Sequence, residues 1–196
     1  GVAPLVLALH GWGQTCTGFM DWLGPLRDAN MLVVAPQAPH PFYLDPVEKR
    51  VGFSWLTAYN RQQAIADVNQ YLAGLLEKLK NDGELHDGKI FLLGFSQGVS
   101  TAYRFAVSGL CDVAGVIACS SDLPGDVEEK LPSTPKFPVL LAHGTMDRIV
   151  SPRASEDAAD RLRTHGFTCE YLPFRGGHRI TNNAVEAIGG WIQARS

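Results

Sequence analysis

The sequence predicts a three-layer α/β domain, in which a mostly parallel sheet of about six strands lies between two layers of helices. Short apolar runs alternate along the chain with longer segments of helical periodicity. The runs are apolar throughout rather than alternating with polar residues, which is typical of strands that are buried on both faces. Strands that are joined by helices pair in parallel through right-handed crossovers, so the sheet is expected to be parallel and covered on both sides.

Six apolar runs, each bounded by glycine, proline or polar residues, are expected to form the strands. They are Leu5 to Leu9, Met31 to Ala35, Lys89 to Leu93, Val113 to Cys119, Val139 to Ala142 and Cys169 to Leu172. A helix is predicted from about Arg61 to Leu79, because its apolar residues fall on one face with a period of 3.6. A second helix is capped by Ser151 and ends at Gly166, and a last one runs from about Asn183 to Gln193.

Composition and charge narrow the class of protein. The chain has 196 residues, of which 45% are hydrophobic and 19% charged, so one domain is expected over residues 1–196. The net charge is -3 and no segment concentrates positive charge, so nucleic acid is not an expected partner. Apolar runs are much shorter than the roughly 18 residues that span a bilayer, so no integral membrane association is expected. Two irregular segments, Pro36 to Asn60 and Ser120 to Pro138, are predicted to be loops over the sheet.

The strongest local pattern is the sequence Gly94-Phe95-Ser96-Gln97-Gly98, which follows a predicted strand and precedes a plausible helix. A serine nucleophile on a strained turn needs small residues two positions before and after it, so that strand and helix can approach closely. Ser54 lacks this context, because its neighbour two positions later is Leu56 and no apolar strand precedes it. Ser96 is therefore the candidate nucleophile, and Ser54 is assigned no catalytic role.

A serine hydroxyl needs a base to take its proton and a third group to orient that base. Asp147 follows the strand Val139 to Ala142, and His178 follows the strand Cys169 to Leu172 after two glycines. Both positions lie at the carboxyl ends of strands, where ligands bind in such sheets. The order Ser96, Asp147, His178 is that of α/β-hydrolases. Asp122, one strand earlier, remains a rival for the acid.

An oxyanion hole requires two amide donors. The amide of Gln97 directly follows the candidate nucleophile, and the amide of Trp12 lies in the glycine-flanked loop after the first strand. His10 and His143 each end a strand but have no ligand-spaced partner. They are therefore expected to hydrogen-bond the backbone rather than bind a metal, and no metal site or cofactor is predicted.

Four apolar side chains are candidates for lining a substrate pocket. Phe42, Phe53 and Trp55 lie in the first irregular segment, and Leu123 lies in the second. The alternative is that aromatic residues in a loop anchor it to the core. The sequence leaves this choice open.

The motifs together resemble the small phospholipase/carboxylesterase family of serine α/β-hydrolases, which includes acyl-protein thioesterases. The resemblance rests on His10-Gly11-Trp12-Gly13, Gly94-Phe95-Ser96-Gln97-Gly98, His143-Gly144-Thr145-Met146-Asp147 and Gly177-His178. It implies an α/β-hydrolase fold without a large lid, a triad of Ser96, Asp147 and His178, oxyanion donation by the Trp12 and Gln97 amides, and no cofactor. An open edge of the sheet offers a surface for a homodimer.

The sequence thus predicts a serine carboxylesterase that acts on small acyl esters or thioesters of short to medium chain length through an acyl-enzyme. An acyl-thioesterase, a lysophospholipase or an acyltransferase with the same triad is the alternative. A different class is a non-catalytic ligand-binding protein on this scaffold. Four widely spaced cysteines without a CxxC pair indicate reduced thiols, and a cytoplasmic location is expected.

Overall fold

A computed structural model describes residues 3–85 and 89–196. Six strands form one sheet in the order β2-β1-β5-β6-β7-β8, and every neighbouring pair is parallel. The strands of this sheet are β1 (Leu5–Leu9), β2 (Leu32–Val34), β5 (Ile90–Phe95), β6 (Gly115–Cys119), β7 (Val139–Gly144) and β8 (Cys169–Phe174). The six predicted strands are confirmed, with shifts of one or two residues at several ends.

Helices cover both faces of the sheet. They are α1 (Cys16–Met20), α2 (Gly24–Asp28), α3 (Arg61–Asn81), α4 (Gln97–Ala106), α5 (Gly125–Glu128), α6 (Pro152–Thr164) and α7 (Asn182–Gln193), with 3-10 turns at Asp21–Leu23 and Leu131–Ser133. The predicted helices correspond to α3, α6 and α7, and the helix expected after the Ser96 turn is α4. Gly166 adopts a φ of 82°, as is typical of a glycine that ends a helix. Within the described residues, no helix is both long and apolar enough to cross a membrane.

Strand β1 shows how the sheet builds two cores. Its side chains alternate, so that Leu5, Leu7 and Leu9 join the cluster beneath α3, α4 and α6. Val6 and Ala8 join the opposite cluster, which contains residues of α1, α2 and α7. All five side chains are fully buried, which explains why the strand sequence is apolar throughout.

The segment from Pro36 to Asn60 corrects one prediction. Instead of an irregular loop, it contains an antiparallel hairpin of β3 (His40–Asp45) and β4 (Arg50–Ser54), which pair only with each other. Pro41 in β3 and Gly52 in β4 weaken any strand pattern in the sequence. The hairpin packs beside the loop that follows β1, so it belongs to the surroundings of the candidate site.

Candidate active site

Ser96 lies at the carboxyl end of β5, on the turn into α4. Its backbone has φ 52° and ψ -118°, a strained conformation for a residue with a side chain. The turn is held from the neighbouring strand, because the Ser96 amide donates to the Cys119 carbonyl oxygen at 2.9 Å.

The glycines on either side of Ser96 are needed because of close backbone contacts. A Cβ on Gly94 would lie 2.5 Å from the Cα of Val99, and a Cβ on Gly98 would lie 2.0 Å from the carbonyl oxygen of Leu9. The helix α4 therefore begins directly against the ends of β5 and β1. This is the physical basis of the Gly-x-Ser-x-Gly pattern in this chain.

The structure brings Ser96, His178 and Asp147 together from three separate strand ends. His178 Nε2 lies 3.0 Å from Ser96 Oγ, and His178 Nδ1 lies 2.7 Å from Asp147 Oδ2. A neutral imidazole with its proton on Nδ1 satisfies both contacts, since it donates to the carboxylate and accepts from the hydroxyl. In this arrangement Nε2 is free to receive the serine proton.

Asp147 is buried, and its carboxylate is fully engaged. The second oxygen, Oδ1, accepts from the amides of Ile149 at 2.9 Å and Val150 at 3.0 Å. Burial alone would raise the pKa of Asp147, but the hydrogen bonds from His178 and the two amides outweigh it and hold the pKa of this carboxyl below its ordinary value. Asp147 is therefore ionised at neutral pH.

A second histidine stands behind the same carboxylate. His143 Nε2 lies 3.1 Å from the Val150 carbonyl oxygen and 3.4 Å from Asp147 Oδ2, and Nδ1 lies 2.7 Å from the Ser155 hydroxyl. Burial lowers the pKa of His143, so the ring is neutral at neutral pH, and its Nε2 faces the two oxygens. His143 thus fixes the turn that presents Asp147.

The loop after β1 leaves one amide free between two that are bonded. The amide of Gly11 donates to Gln14 Oε1 at 2.7 Å, and the amide of Gly13 donates to the Phe53 carbonyl oxygen at 2.8 Å. Within the described residues, neither the Trp12 amide between them nor the Gln97 amide has an acceptor. These are the two donors that the sequence predicts for an oxyanion.

The side chain of Gln97 links the serine turn to the hairpin. Its Oε1 accepts from the Trp55 amide at 3.0 Å, and its Nε2 donates to Ser54 Oγ at 2.9 Å. The hairpin in turn meets the Trp12 loop, since a Cβ on Gly52 would lie 2.6 Å from the carbonyl oxygen of Gly13. The two candidate oxyanion donors are therefore positioned through a common set of contacts.

Of the four predicted pocket residues, two are not accessible to a substrate. Trp55 and Leu123 are buried in the core, and the Trp55 indole donates to the His10 carbonyl oxygen at 2.8 Å. For Trp55 the alternative of anchoring a loop to the core is the one observed. Phe42 is half-buried and stacks on the exposed ring of Trp12 at 4.7 Å, and Phe53 is half-buried on β4.

The structure also bears on the predictions for His10 and for the rival acid, Asp122. His10 donates from Nδ1 to the Gly11 carbonyl oxygen at 2.8 Å and accepts from the Ala38 amide at 3.1 Å, so its expected backbone role is confirmed. Asp122 is exposed, whereas Asp147 is the carboxylate that contacts His178. The described part of the chain contains no cluster of three His, Cys, Asp or Glu side chains suited to a metal ion.

Comparison with known proteins identifies the family of this chain. Residues 2–196 match the family model described as Phospholipase/Carboxylesterase. The chain belongs to this family. Carboxylesterase SOBER1 of Arabidopsis thaliana is 30% identical over 139 residues, which are 63% of this chain and 60% of that protein. Acyl-protein thioesterase 1 of Neurospora crassa is 25% identical over 210 residues, which are 97% of this chain and 86% of that protein.

Solved structures show the same fold. The crystal structure of Arabidopsis thaliana SOBER1 superposes with a TM-score of 0.79 at 22% identity, covering 98% of this chain and 99% of that one. Esterase PE8 superposes with a TM-score of 0.77 at 27% identity, covering 100% of this chain and 94% of that one. The predicted α/β-hydrolase fold is thereby confirmed for this family member.

Three features near Ser96 were not predicted from the sequence. They are the approach of His143 Nε2 to the Asp147 carboxylate, the bridging side chain of Gln97, and the hairpin that supports the Trp12 loop. The expected backbone hydrogen bond of His143 is the one to the Val150 carbonyl oxygen. His143 stands four residues before Asp147 in one motif, and this spacing was the available signal. The strand pattern of the hairpin was obscured because its strands contain a proline and a glycine.

Proposed function

We propose that this hydrolase-family protein is a serine carboxylesterase that cleaves short- to medium-chain acyl esters through an acyl-enzyme. The observation that carries the proposal is the continuous path of hydrogen bonds from Ser96 through His178 to Asp147. It supplies a nucleophile, a base and an orienting carboxylate in the tautomer that the chemistry needs. The family match adds that related chains include proteins named as carboxylesterases.

In the proposed acylation step, Ser96 Oγ forms a bond to the ester carbonyl carbon while its proton moves to His178 Nε2. The amides of Trp12 and Gln97 donate to the carbonyl oxygen as it becomes negative. The bond to the leaving oxygen then breaks, and His178 delivers its proton to that oxygen. Water repeats the sequence on the acyl-enzyme and releases the acid. Losing either oxyanion donor would raise the barrier by about 3 kcal/mol.

Thioester hydrolysis is the second candidate. A relative that aligns over 97% of this chain is named acyl-protein thioesterase 1, and the proposed triad would expel a thiol as readily as an alcohol. The polar atoms required are the same, so the choice depends on the substrate rather than on the triad.

The test is hydrolysis of p-nitrophenyl esters of increasing acyl length, with labelling by a fluorophosphonate and mapping of the labelled peptide. Wild type is expected to turn over and to be labelled on Ser96, and Ser96→Ala is expected to do neither. Ser133→Ala removes an exposed hydroxyl from a 3-10 turn elsewhere and is the matched control. Folded wild type that is neither active nor labelled would instead favour a non-catalytic ligand-binding protein.

A further inference from the structure

An uneven distribution of arginines marks the edge of the candidate site. The chain has 11 arginines, and five of them lie within 4.0 Å of a carboxylate within the described residues. Three of the other six lie in the two loops that carry Asp147 and His178. These are Arg148, Arg175 and Arg179, and all three are exposed.

Backbone contacts place these two loops side by side. The amide of Thr145 donates to the Phe174 carbonyl oxygen at 2.8 Å, and the amide of Met146 donates to the Gly176 carbonyl oxygen at 2.9 Å. Arg148 directly follows Asp147, and Arg175 lies three residues before His178. The two guanidinium groups are therefore carried by adjacent segments at the same edge of the sheet.

Arg179 is placed by aromatic contacts. Its guanidinium lies 5.5 Å from the Trp22 ring, the Trp22 ring lies 5.3 Å from that of Phe95, and the Phe95 ring lies 4.9 Å from that of His178. A guanidinium over an indole retains its charge and its hydrogen-bond donors. Arg179 thus stands on the outer side of an aromatic series that ends at the imidazole.

Within the two loops, no exposed carboxylate offsets these charges. Asp147 is the one acidic residue in positions 145–150 and 174–181, and it is buried against His178. Asp122, the exposed acid after β6, lies outside both loops. Although the whole chain carries a net charge of -3, these two loops carry three exposed arginines against one buried carboxylate.

The proton path determines which part of a substrate meets these charges. His178 must deliver its proton to the leaving oxygen or sulfur, so the leaving group has to lie beside His178. Guanidinium groups bind carboxylate and phosphate through paired donors. On the basis of the proposed function, we infer that the enzyme selects esters or thioesters whose leaving alcohol or thiol carries a carboxylate.

The test compares two esters that differ in the charge of the leaving group. 3-Carboxyphenyl acetate releases an anionic phenol, and 3-carbamoylphenyl acetate releases a neutral one of similar shape. The measured quantity is the ratio of kcat/KM for the anionic ester to kcat/KM for the neutral ester. This ratio should fall roughly tenfold in the triple variant Arg148→Gln, Arg175→Gln, Arg179→Gln, because individual exposed ion pairs are weak but three act together. The wild-type ratio should also fall between 0.1 M and 1 M salt, as the screening length shortens from about 10 Å to about 3 Å.

Controls separate this inference from its alternatives. Arg27→Gln removes an exposed arginine in α2, before β2, that has no carboxylate within 4.0 Å among the described residues, and it should leave the ratio unchanged. Succinic acid monophenyl ester carries its anion on the acyl side and should not respond to the triple variant. Three outcomes would each overturn the inference. The ratio could be unchanged in the triple variant, hydrolysis of the monophenyl ester could fall equally, or the effect could be seen only for substrate presented in anionic phosphatidylserine vesicles. Absence of turnover of both esters by folded wild type would instead refute the proposed function.

Discussion

Replacement of Asp147 by asparagine is expected to abolish most activity through a single misplaced proton. In the structure, Oδ1 accepts from the amides of Ile149 at 2.9 Å and Val150 at 3.0 Å. An asparagine side chain has one oxygen, and these two donors require it at the Oδ1 position. The NH₂ group is then placed where Oδ2 lay, 2.7 Å from His178 Nδ1.

This NH₂ group needs an acceptor, so His178 has to present a lone pair at Nδ1 and carry its proton on Nε2. A protonated Nε2 cannot take the proton of Ser96, which lies 3.0 Å away. Turning the amide around would set its NH₂ against two N–H donors, at a cost of about 1–3 kcal/mol for each unsatisfied group. In a serine protease with the same constellation, the equivalent change lowers kcat roughly 10⁴-fold, which corresponds to about 5 kcal/mol.

The assay is kcat for p-nitrophenyl acetate at neutral pH, with circular dichroism to establish that the variant is folded. Asp122→Asn is the matched control, because it removes an exposed carboxylate from the neighbouring strand end and should leave kcat within about twofold of wild type. The tautomer reasoning is refuted if folded Asp147→Asn retains more than a tenth of wild-type activity. Large loss in Asp122→Asn would reassign the acid.

Three further predictions concern the scaffold around the site. Gly98→Ala has to displace the backbone by at least about 1 Å, so it should lower stability by about 1–3 kcal/mol and kcat/KM roughly 10²-fold. The control is Gly74→Ala, which lies in an open helical position and should raise the melting temperature. Asp126→Asn leaves the buried Arg104 guanidinium unpaired and should destabilise by about 1–3 kcal/mol at pH 7 in urea unfolding. Hydrogen bonds from Arg104 hold the pKa of Asp126 below its ordinary value. The stabilisation by Asp126 is therefore present at neutral pH and is lost as pH falls through that lowered pKa. The unfolding curves of wild type and Asp126→Asn should accordingly converge in acid. His143→Ala removes the side-chain contacts with the Val150 carbonyl oxygen and Asp147 Oδ2, so it should lower stability by about 1–3 kcal/mol and should also lower kcat. An unchanged kcat would show that the Asp147 turn holds without His143.

Sequence patterns succeeded where a local property decides the structure. The residues of β1 alternate between two apolar cores, so that the strand is recognisable from composition alone. Gly94 and Gly98 are recognisable because any side chain there meets backbone atoms. The helix end at Gly166 follows from its left-handed φ of 82°.

Sequence patterns failed where packing between distant segments decides the structure. The hairpin of His40–Asp45 and Arg50–Ser54 has a proline and a glycine within its strands, yet it forms because it packs beside the loop after β1. Trp55 and Leu123 were plausible pocket residues, but the core on that face of the sheet buries both. Burial of a loop residue depends on what packs above it, which spacing along the chain does not record.

The sequence by itself determined the parallel α/β architecture and the order of the serine, the acid and the histidine, because each depends on a strand and the few residues after it. Tertiary structure alone decided that Ser96 and His178, 82 positions apart, lie 3.0 Å from each other. It also decided that Asp147, rather than Asp122, is the carboxylate that His178 contacts. Such contacts form when separate strand ends meet at one edge of the sheet, so their distances depend on packing across the whole domain.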